Sequence, residues 1–270
     1  MAQVTSCPTG WLALPKKTAT SSHRSGSLPV VVHIGCCGFA LARAKYFAAF
    51  DCVEVNSTFY NLPKLSTAAR WRAEAPAEFQ FTMKAWQVIT HRADSPTYRR
   101  TKLDPRDREY CGFFGFNPTV RWAWEQTYRV AETLRAVLVL FQCPPTFKPT
   151  DENVERLTRF FLRAKRGKLL FGWEPRGDWP AETVRRLCRD LDLIHVADPF
   201  DSLPVTATPL RYFRLHGHGN PRHRYTPNEF RQLRAWCAGK NPVFCFFNNV
   251  AMAEDARRFK AWLAESPPTA

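Results

Sequence analysis

Several patterns that would assign a function directly are missing from this 270-residue sequence. Its nine cysteines form no C-x-x-C pair and are odd in number, so neither a zinc ribbon nor a complete disulfide framework is indicated. We therefore expect reduced thiols in a cytoplasmic protein. No apolar run approaches the roughly 18 residues of a membrane-spanning helix, so no membrane partner is expected. A P-loop, a Rossmann fingerprint, a nucleophile elbow and zinc-finger spacing are missing as well.

Acidic residues are scarce. Asp and Glu number 24 against 39 Lys and Arg, which gives a net charge of +15 and favours anionic partners such as nucleic acid or phosphorylated metabolites. The first acidic residue is Asp51, and residues 1–28 are rich in Ser, Thr, Pro and Lys without a sustained period. We predict a disordered leader over residues 1–28, one domain over 29–265 and a short tail over 266–270.

What the sequence does contain is a rhythm of short apolar runs alternating with amphipathic stretches. The runs are nearly continuous in apolar character, as strands buried on both faces should be. Eight of them occur, over residues 31–35, 52–56, 79–85, 136–142, 169–174, 193–197, 212–216 and 243–248.

Helix-start signals fall between these runs. Asn117 precedes Pro118, Thr150 precedes two acidic residues, and Asp178 precedes Trp179 and Pro180. The segment Thr226-Pro227-Asn228-Glu229 is a capping box. Residues 199–209 are too rich in proline for a full helix, so the sixth unit should be irregular. Eight strand–helix repeats in about 240 residues favour a (β/α)8 TIM-type barrel over a doubly wound sheet.

Several motifs in order along the chain carry a family resemblance. They are Ile34-Gly35-Cys36-Cys37-Gly38-Phe39, Val53-Glu54-Val55-Asn56-Ser57-Thr58-Phe59-Tyr60, Phe141-Gln142-Cys143-Pro144-Pro145-Thr146-Phe147, Glu174-Pro175-Arg176, Arg214-Leu215-His216-Gly217 and Phe247-Asn248-Asn249. The sequence resembles the YecE-like family, the domain of unknown function 72, over roughly residues 30–262. The family usually has Thr-Ser-Gly-Trp where this chain has Cys36-Cys37-Gly38-Phe39. The resemblance implies a TIM-type barrel and implies no particular reaction.

Strand alternation then predicts which side chains meet at the barrel mouth. Every second residue of a barrel strand points inward, and TIM-barrel active sites lie at the C-terminal strand ends. The catalytic candidates are Glu54, Lys84, His91, Glu174, Asp198 and His216. The substrate-binding candidates are Asn56, Gln142, Arg214 and Asn248, to which the family-like segments add Tyr60, Arg176 and Asn249.

Two interpretations of these polar residues remain open. In one, Glu54, Lys84, Glu174 and Arg214 only neutralise one another above the core. In the other, Glu54 or Glu174 is a general acid or base while Lys84 and Arg214 hold an anion. His91 is either a proton carrier or a loop histidine bonded to backbone. Asp198 either accepts a proton or caps the following turn.

The same strand ends also carry potential metal ligands. Glu54, Glu174, Asp198 and His216 are the ligand types that barrel enzymes use for divalent ions. His218 lies close by, but Gly217 and Gly219 leave its ring unfixed in the sequence. No cofactor and no metal site is predicted, and a divalent ion is not favoured.

The loop after strand 7 is strongly basic and contains Arg222 and Arg224 among glycines and histidines. Barrels frequently bind phosphate after strands 7 and 8. The leading hypothesis is an enzyme acting by acid/base chemistry on a small anionic substrate. A metal-assisted nucleic-acid-processing barrel and a non-catalytic ligand- or partner-binding barrel are the alternatives. The sequence leaves the oligomeric state open.

Overall fold

A computed structural model describes residues 31–206 and 208–265, so the predicted leader and tail lie outside the described residues. The strands are β1 (Val32–Cys36), β2 (Cys52–Val55), β3 (Gln80–Lys84), β4 (Leu138–Gln142), β5 (Leu170–Glu174), β6 (Leu193–Ala197), β7 (Arg211–Leu215) and β8 (Val243–Phe247). The helices are α1 (Arg43–Ala49), α2 (Leu65–Glu74), α3 (Gln87–Thr90), α4 (Pro118–Leu134), α5 (Asp151–Arg163), α6 (Ala181–Asp190), α7 (Pro227–Cys237) and α8 (Met252–Glu265).

The eight strands form one parallel sheet that curls into a barrel. Their order is β1-β8-β7-β6-β5-β4-β3-β2, and every pairing is parallel. A parallel bridge between Cys37 and Glu54 joins the β1 end to β2 and brings the two outer strands together. The predicted fold class, a (β/α)8 barrel, is confirmed, and all eight predicted strands are present.

Side-chain alternation divides the core into two layers. Residues of one parity form the cluster inside the barrel: Cys37, Cys52, Leu138, Leu140, Ile194, Val196, Leu210, Tyr212, Phe244 and Phe246. Residues of the other parity, including Val53, Val55, Phe81 and Met83, pack against the helices in the larger outer cluster. The valines beside Glu54 therefore face outward, and Glu54 faces the barrel axis.

Local capping chemistry explains the starts of α4, α5 and α7. Asn117 accepts from Val120 N at 2.9 Å, and Thr150 accepts from Asn153 N at 3.3 Å. Thr226 and Glu229 form the predicted capping box. The predicted start of α6 at Asp178 is wrong: Pro180 is the N-cap, and Asp178 is exposed and pairs with Lys148 at 3.3 Å.

Two connections depart from the regular repeat. Between β6 and β7 the described residues contain no helix, as the proline content predicts, and Val205 N is held by His195 Nδ1 at 3.0 Å. The β3–α4 connection instead contains α3 and two 3-10 turns, Pro96–Arg100 and Pro105–Tyr110. Among the described helices, none has both the length and the apolar character to cross a bilayer.

Candidate functional site

An ionic cluster lies at the C-terminal ends of β2, β5 and β7. We call Glu54, Glu174, Arg176, Arg214 and His216 the mouth cluster. The closed barrel brings these residues together because parallel strands end at the same rim and their inward residues converge on the axis. Three of the five belong to strands, and the other two follow β5 and β7 directly.

Arg214 is the centre of the cluster. Its Nη2 and Nε donate to Oε1 and Oε2 of Glu54, each at 3.0 Å, and its Nη1 donates to Glu174 Oε2 at 2.6 Å. Arg214 is 1% exposed and Glu54 is 0% exposed. Burial alone would lower the pKa of Arg214, but the charges of Glu174 and Glu54 outweigh it and raise that pKa well above its ordinary value.

Glu54 has no free lone pair directed into open space. Besides Arg214, its Oε2 accepts from the Tyr212 hydroxyl at 2.8 Å, and the Tyr212 oxygen lies 2.8 Å from Thr82 Oγ1. Its carboxylate is therefore enclosed and fully hydrogen-bonded. A proton-transfer group must reach a substrate, so this arrangement suits a charge-holding role.

Glu174 lies closer to the opening and bonds two guanidinium groups. Arg176 Nη2 donates to its Oε1 at 2.5 Å, while Arg214 occupies Oε2. Burial would raise the pKa of Glu174, but the charges of Arg214 and Arg176 prevail and lower it to about 2. Glu174 is consequently ionised at neutral pH and is not a general acid there.

Lys84 stands apart from these ion pairs. Among the described residues no carboxylate lies within ion-pair distance of its Nζ, which sits 3.8 Å from the centroid of the Phe59 ring. The residue is 7% exposed. Burial, followed by the charge of Arg214, lowers the pKa of Lys84 to about 7, although Glu174 and Glu54 act in the opposite direction.

His91 borders the same pocket of aromatic and cationic groups. Its ring lies edge-on to Phe59 with centroids 4.8 Å apart, and its Nδ1 is 2.8 Å from Thr90 Oγ1. Burial and the charge of Lys84 lower the pKa of His91 to about 3. The imidazole is neutral at physiological pH, so it can pass a proton only as a neutral relay.

His216 is oriented from both sides of its ring. Arg176 Nη2 and Arg214 Nη1 point at its Nε2 from 3.0 and 3.2 Å, so Nε2 accepts and the proton sits on Nδ1. Nδ1 lies 3.6 Å from Asp198 Oδ2. Asp198 also accepts from the backbone N–H of His216 at 2.7 Å and of Phe200 at 3.0 Å, and so it fixes the strand-6 and strand-7 ends.

The remaining binding candidates lie at varying distances from this cluster. Gln142 Oε1 accepts from Arg214 Nη1 at 3.4 Å. Asn56 is half-buried, and its Oδ1 is enclosed without a partner among the described residues. Asn248 is half-buried at the end of β8. Arg100 stacks over the Tyr60 ring, 3.8 Å from its centroid.

Asn249 takes part in a different network. Its Nδ2 donates to Asp255 Oδ2 at 2.7 Å and to the carbonyl of His223 at 2.8 Å. Its structural surroundings are therefore the start of α8 and the β7–α7 loop. Its assignment as a substrate-binding residue stays a prediction.

Sequence reasoning overlooked three residues of the mouth. Tyr212 bonds Glu54, Phe59 underlies Lys84, and Cys37 is buried beside Glu54, where burial raises its thiol pKa well above the ordinary value. Tyr212 could have been found, because it lies two residues before Arg214 and shares its inward parity. Phe59 follows β2 in a 3-10 turn, where strand parity gives no guidance.

The mouth is not suited to a divalent cation between Glu54 and Glu174, because the Arg214 guanidinium already occupies that place. Asp198 is likewise engaged by backbone N–H groups. Residues of the mouth cluster therefore do not form a metal site with the geometry described.

The fold and these strand ends define a (β/α)8 barrel protein with a buried ionic cluster at its C-terminal mouth. The profile of the family described as "Protein of unknown function DUF72" matches residues 40–269, and the chain belongs to this family. The UPF0759 protein YecE of Escherichia coli O157:H7 is 41% identical over 230 residues, which are 81% of this chain and 71% of that protein.

Solved structures of the family share the fold. The crystal structure of a DUF72 family protein from Enterococcus faecalis V583 matches with a TM-score of 0.64 at 19% identity, over 88% of this chain and 99% of that one. That of a DUF72 family protein from Thermotoga maritima MSB8 matches with a TM-score of 0.62 at 22% identity, over 87% and 99%. At these identities the likeness establishes the barrel alone.

Proposed function

We propose that this chain is an enzyme that performs acid/base chemistry on a small anionic substrate at the barrel mouth, with Lys84 as the proton-transfer group. The observation that carries the proposal is the isolated ammonium of Lys84: it is buried at a strand end, beside ion pairs that leave it without a carboxylate partner. A buried charge without a partner costs several kcal/mol, of the order found for single buried ions. An anionic substrate group would supply the missing counter-charge.

The roles then divide by accessibility and charge. Glu54 and Glu174 hold Arg214 in place. Glu174 stays ionised near neutral pH and does not donate a proton there. Arg176, whose side chain is 36% exposed, and His216 lie at the rim, where a ligand could reach them. Lys84 has a pKa of about 7, so it can accept or return a proton near neutral pH. General acid–base catalysis is most effective when the pKa of the group lies near the working pH.

His91 and Asn56 complete the proposed pocket. His91, edge-on to Phe59, is a neutral relay. The unpartnered Oδ1 of Asn56 offers an acceptor to a substrate hydroxyl or amine. Gln142, Asn248 and Tyr60 remain substrate-binding proposals of the same kind.

The test is a screen of phosphorylated and carboxylated small molecules, with turnover read by mass spectrometry. For a substrate found in this way, Lys84→Met should lower kcat by about 10²- to 10⁴-fold, the usual contribution of a general acid or base. Arg176→Ala should weaken binding about tenfold or more, because a charge-assisted hydrogen bond is lost. The matched control is Lys165→Met, which removes an exposed lysine that contacts Tyr128 outside the mouth.

Full activity of Lys84→Met on that substrate would overturn the residue assignment. Tight binding of an anion without turnover would favour the non-catalytic barrel. Binding of oligonucleotides that persists in Lys84→Met and is abolished by salt would favour a nucleic-acid interface on the basic surface.

A further inference from the structure

The β7–α7 loop holds a second group of ionisable side chains, separate from the mouth cluster. We call His218, His223 and Glu229 the loop cluster; their ligand atoms all lie within 4.8 Å of one another. They are spaced His-x4-His-x5-Glu, so the β7–α7 loop and the first turn of α7 supply the whole set.

The three side chains converge on one point. His218 Nε2 lies 2.5 Å from Glu229 Oε1, and His223 Nε2 lies 2.7 Å from the same oxygen. The two imidazole rings are nearly perpendicular, with centroids 4.7 Å apart. Both ring nitrogens thus lie beside one carboxylate oxygen, and the three potential ligand atoms are close enough together to bind one metal ion.

The two carboxylate oxygens of Glu229 have different partners. Oε2 accepts from the backbone N–H and the hydroxyl of Thr226, each at 2.7 Å, and so completes the capping box of α7. Oε1 is left for the imidazoles. The helix cap thus fixes the carboxylate, and its other oxygen contacts both histidines.

The backbone that presents His218 has an unusual conformation. Gly217, His218 and Gly219 all have positive φ angles, of 75°, 54° and 75°. A non-glycine residue rarely adopts this region, and the conformation persists only where surrounding structure imposes it. At Gly217 a Cβ would lie 2.5 Å from the Asn220 carbonyl oxygen and 3.0 Å from His223 Cβ, so only glycine fits there.

Packing holds both rings in place. His218 lies against Phe200 with ring centroids 4.7 Å apart, and His223 lies edge-on to Tyr225 at 5.0 Å. The Tyr225 hydroxyl accepts from Gly217 N at 2.9 Å, and Asn249 bonds the His223 carbonyl. The ligand atoms are thus ordered by a rigid shell, which is what a metal site requires of its surroundings.

We propose that His218, His223 and Glu229 bind a divalent transition-metal ion, and that this ion is Zn²⁺. Two imidazoles and one carboxylate form a mixed nitrogen and oxygen set that suits zinc and leaves one tetrahedral position open. In such a site neighbouring ligand atoms lie about 3.3 Å apart, which the present 2.5 and 2.7 Å separations reach with small side-chain shifts. His218 is 38% exposed on its side chain, so the open position faces solvent and can take water or an anion.

The experiment is a Zn²⁺ titration of the full-length chain, stripped with a chelator and kept reduced, by isothermal titration calorimetry. We expect one equivalent to bind, and His218→Asn, His223→Gln and Glu229→Gln each to weaken binding by more than about 100-fold, because even outer-sphere partners of a metal contribute about 10- to 100-fold. Asn tolerates the positive φ at position 218, and Gln at position 229 retains the capping box, so both variants should fold.

The matched control is His33→Gln, which removes a histidine paired with Asp51 at 3.0 Å in β1, outside the loop. This variant should bind Zn²⁺ like the parent chain. With Co²⁺ as a spectroscopic probe, the visible bands should appear without a thiolate charge-transfer band, since the described cysteines take no part. Equal Zn²⁺ affinity in the loop variants, a thiolate band, or no binding by the parent chain would overturn the proposal.

Discussion

Two buried networks in this barrel both join carboxylates to arginines, and they differ in whether every nearby charge has a partner. In the mouth cluster, Arg214 joins Glu54 and Glu174, and the nearby Lys84 pairs with no carboxylate of the described chain. At the start of α8, Asp255 is paired with Arg224 at 3.3 Å and Arg258 at 2.8 Å. That second group, with Asn249, we call the Asp255 network.

This difference in charge pairing distinguishes a structural network from a candidate functional site. Every charge of the Asp255 network has a partner, and both of its arginines reach solvent, which is the arrangement of a structural tie. Among the described residues, the buried Lys84 at the mouth has no carboxylate partner, a costly feature that a ligand could compensate. The uncompensated charge therefore distinguishes a candidate site from a merely neutralised polar layer.

The largest expected effect on the free energy of unfolding comes from replacing an arginine in each network. Arg214→Met leaves two buried carboxylates without their cation, so we expect a loss of about 3–5 kcal/mol in the free energy of unfolding. Arg258→Met should cost only about 1 kcal/mol, because Asp255 retains Arg224 and Asn249. Urea denaturation of both variants gives the order, and the reverse order would break the comparison.

The uncompensated charge should appear as a pH-dependent cost. The folded pKa of Lys84, about 7, is below its unfolded value of about 10.5, so the unfolded chain binds more protons between these pH values. Stability of the parent chain should rise with pH in that window, by up to about 1.4 kcal/mol per pH unit. Below pH 7 the cost is fully present.

Lys84→Met removes that titration. It should therefore be more stable than the parent chain at pH 6.5, with an advantage that shrinks towards pH 9.5. Urea denaturation at both pH values measures the difference, and other titrating groups cancel in it. Parallel curves for the two proteins would show that Lys84 is already compensated.

On the acidic side Glu174 should also make stability rise with pH, but as a stabilising ionised group and not as a buried cost. Its folded pKa, about 2, is below the unfolded value of 4.5, so its contribution is complete above pH 4.5 and is lost as pH falls towards 2. The stability difference between the parent chain and Glu174→Gln should shrink from pH 5 to pH 3. Glu155→Gln, which removes an exposed helical ion pair with Arg159, should change stability by less than about 0.5 kcal/mol throughout.

The smallest effect should follow from Phe59→Leu. Losing the ring beneath Lys84 removes a cation–π contact of about 0.5–1 kcal/mol, which corresponds to a further lowering of the Lys84 pKa by about 0.4–0.7. The pH dependence of Lys84 reductive methylation reports this pKa. An increase would show that the ring does not stabilise the ammonium.

Sequence reasoning reached far into the fold and partly into the site. The eight strands, the irregular sixth unit and the caps at Asn117, Thr150 and Thr226 are local properties of apolar pattern and turn chemistry. The start of α6 was missed because Asp178 is a good cap in composition but pairs with Lys148 instead. Strand parity placed Glu54, Glu174 and Arg214 on the inner face, since it follows from the backbone alone.

Which side chains pair with one another could not be predicted from the sequence. Arg214 bonds Glu54 and Glu174, which lie 160 and 40 residues away, and only closure of the barrel sets those distances. The sequence left the ring of His218 unfixed because the packing of Phe200 and Tyr225 that holds it cannot be read from the loop. Asn249 was grouped with the mouth by its motif, whereas the structure brings it to Asp255.

By itself, then, the sequence determined the barrel, the strand ends and the inward polarity of the mouth, because hydrophobic alternation and capping act over a few residues. Only the tertiary structure decided which charges are paired, that Lys84 is left without a partner and that two histidines meet Glu229. The pairing of the charges depends on distances between segments far apart in the chain, and such distances exist only once the sheet has closed. The two histidines and Glu229 are close in sequence, but their rings are held by packing against Phe200 and Tyr225.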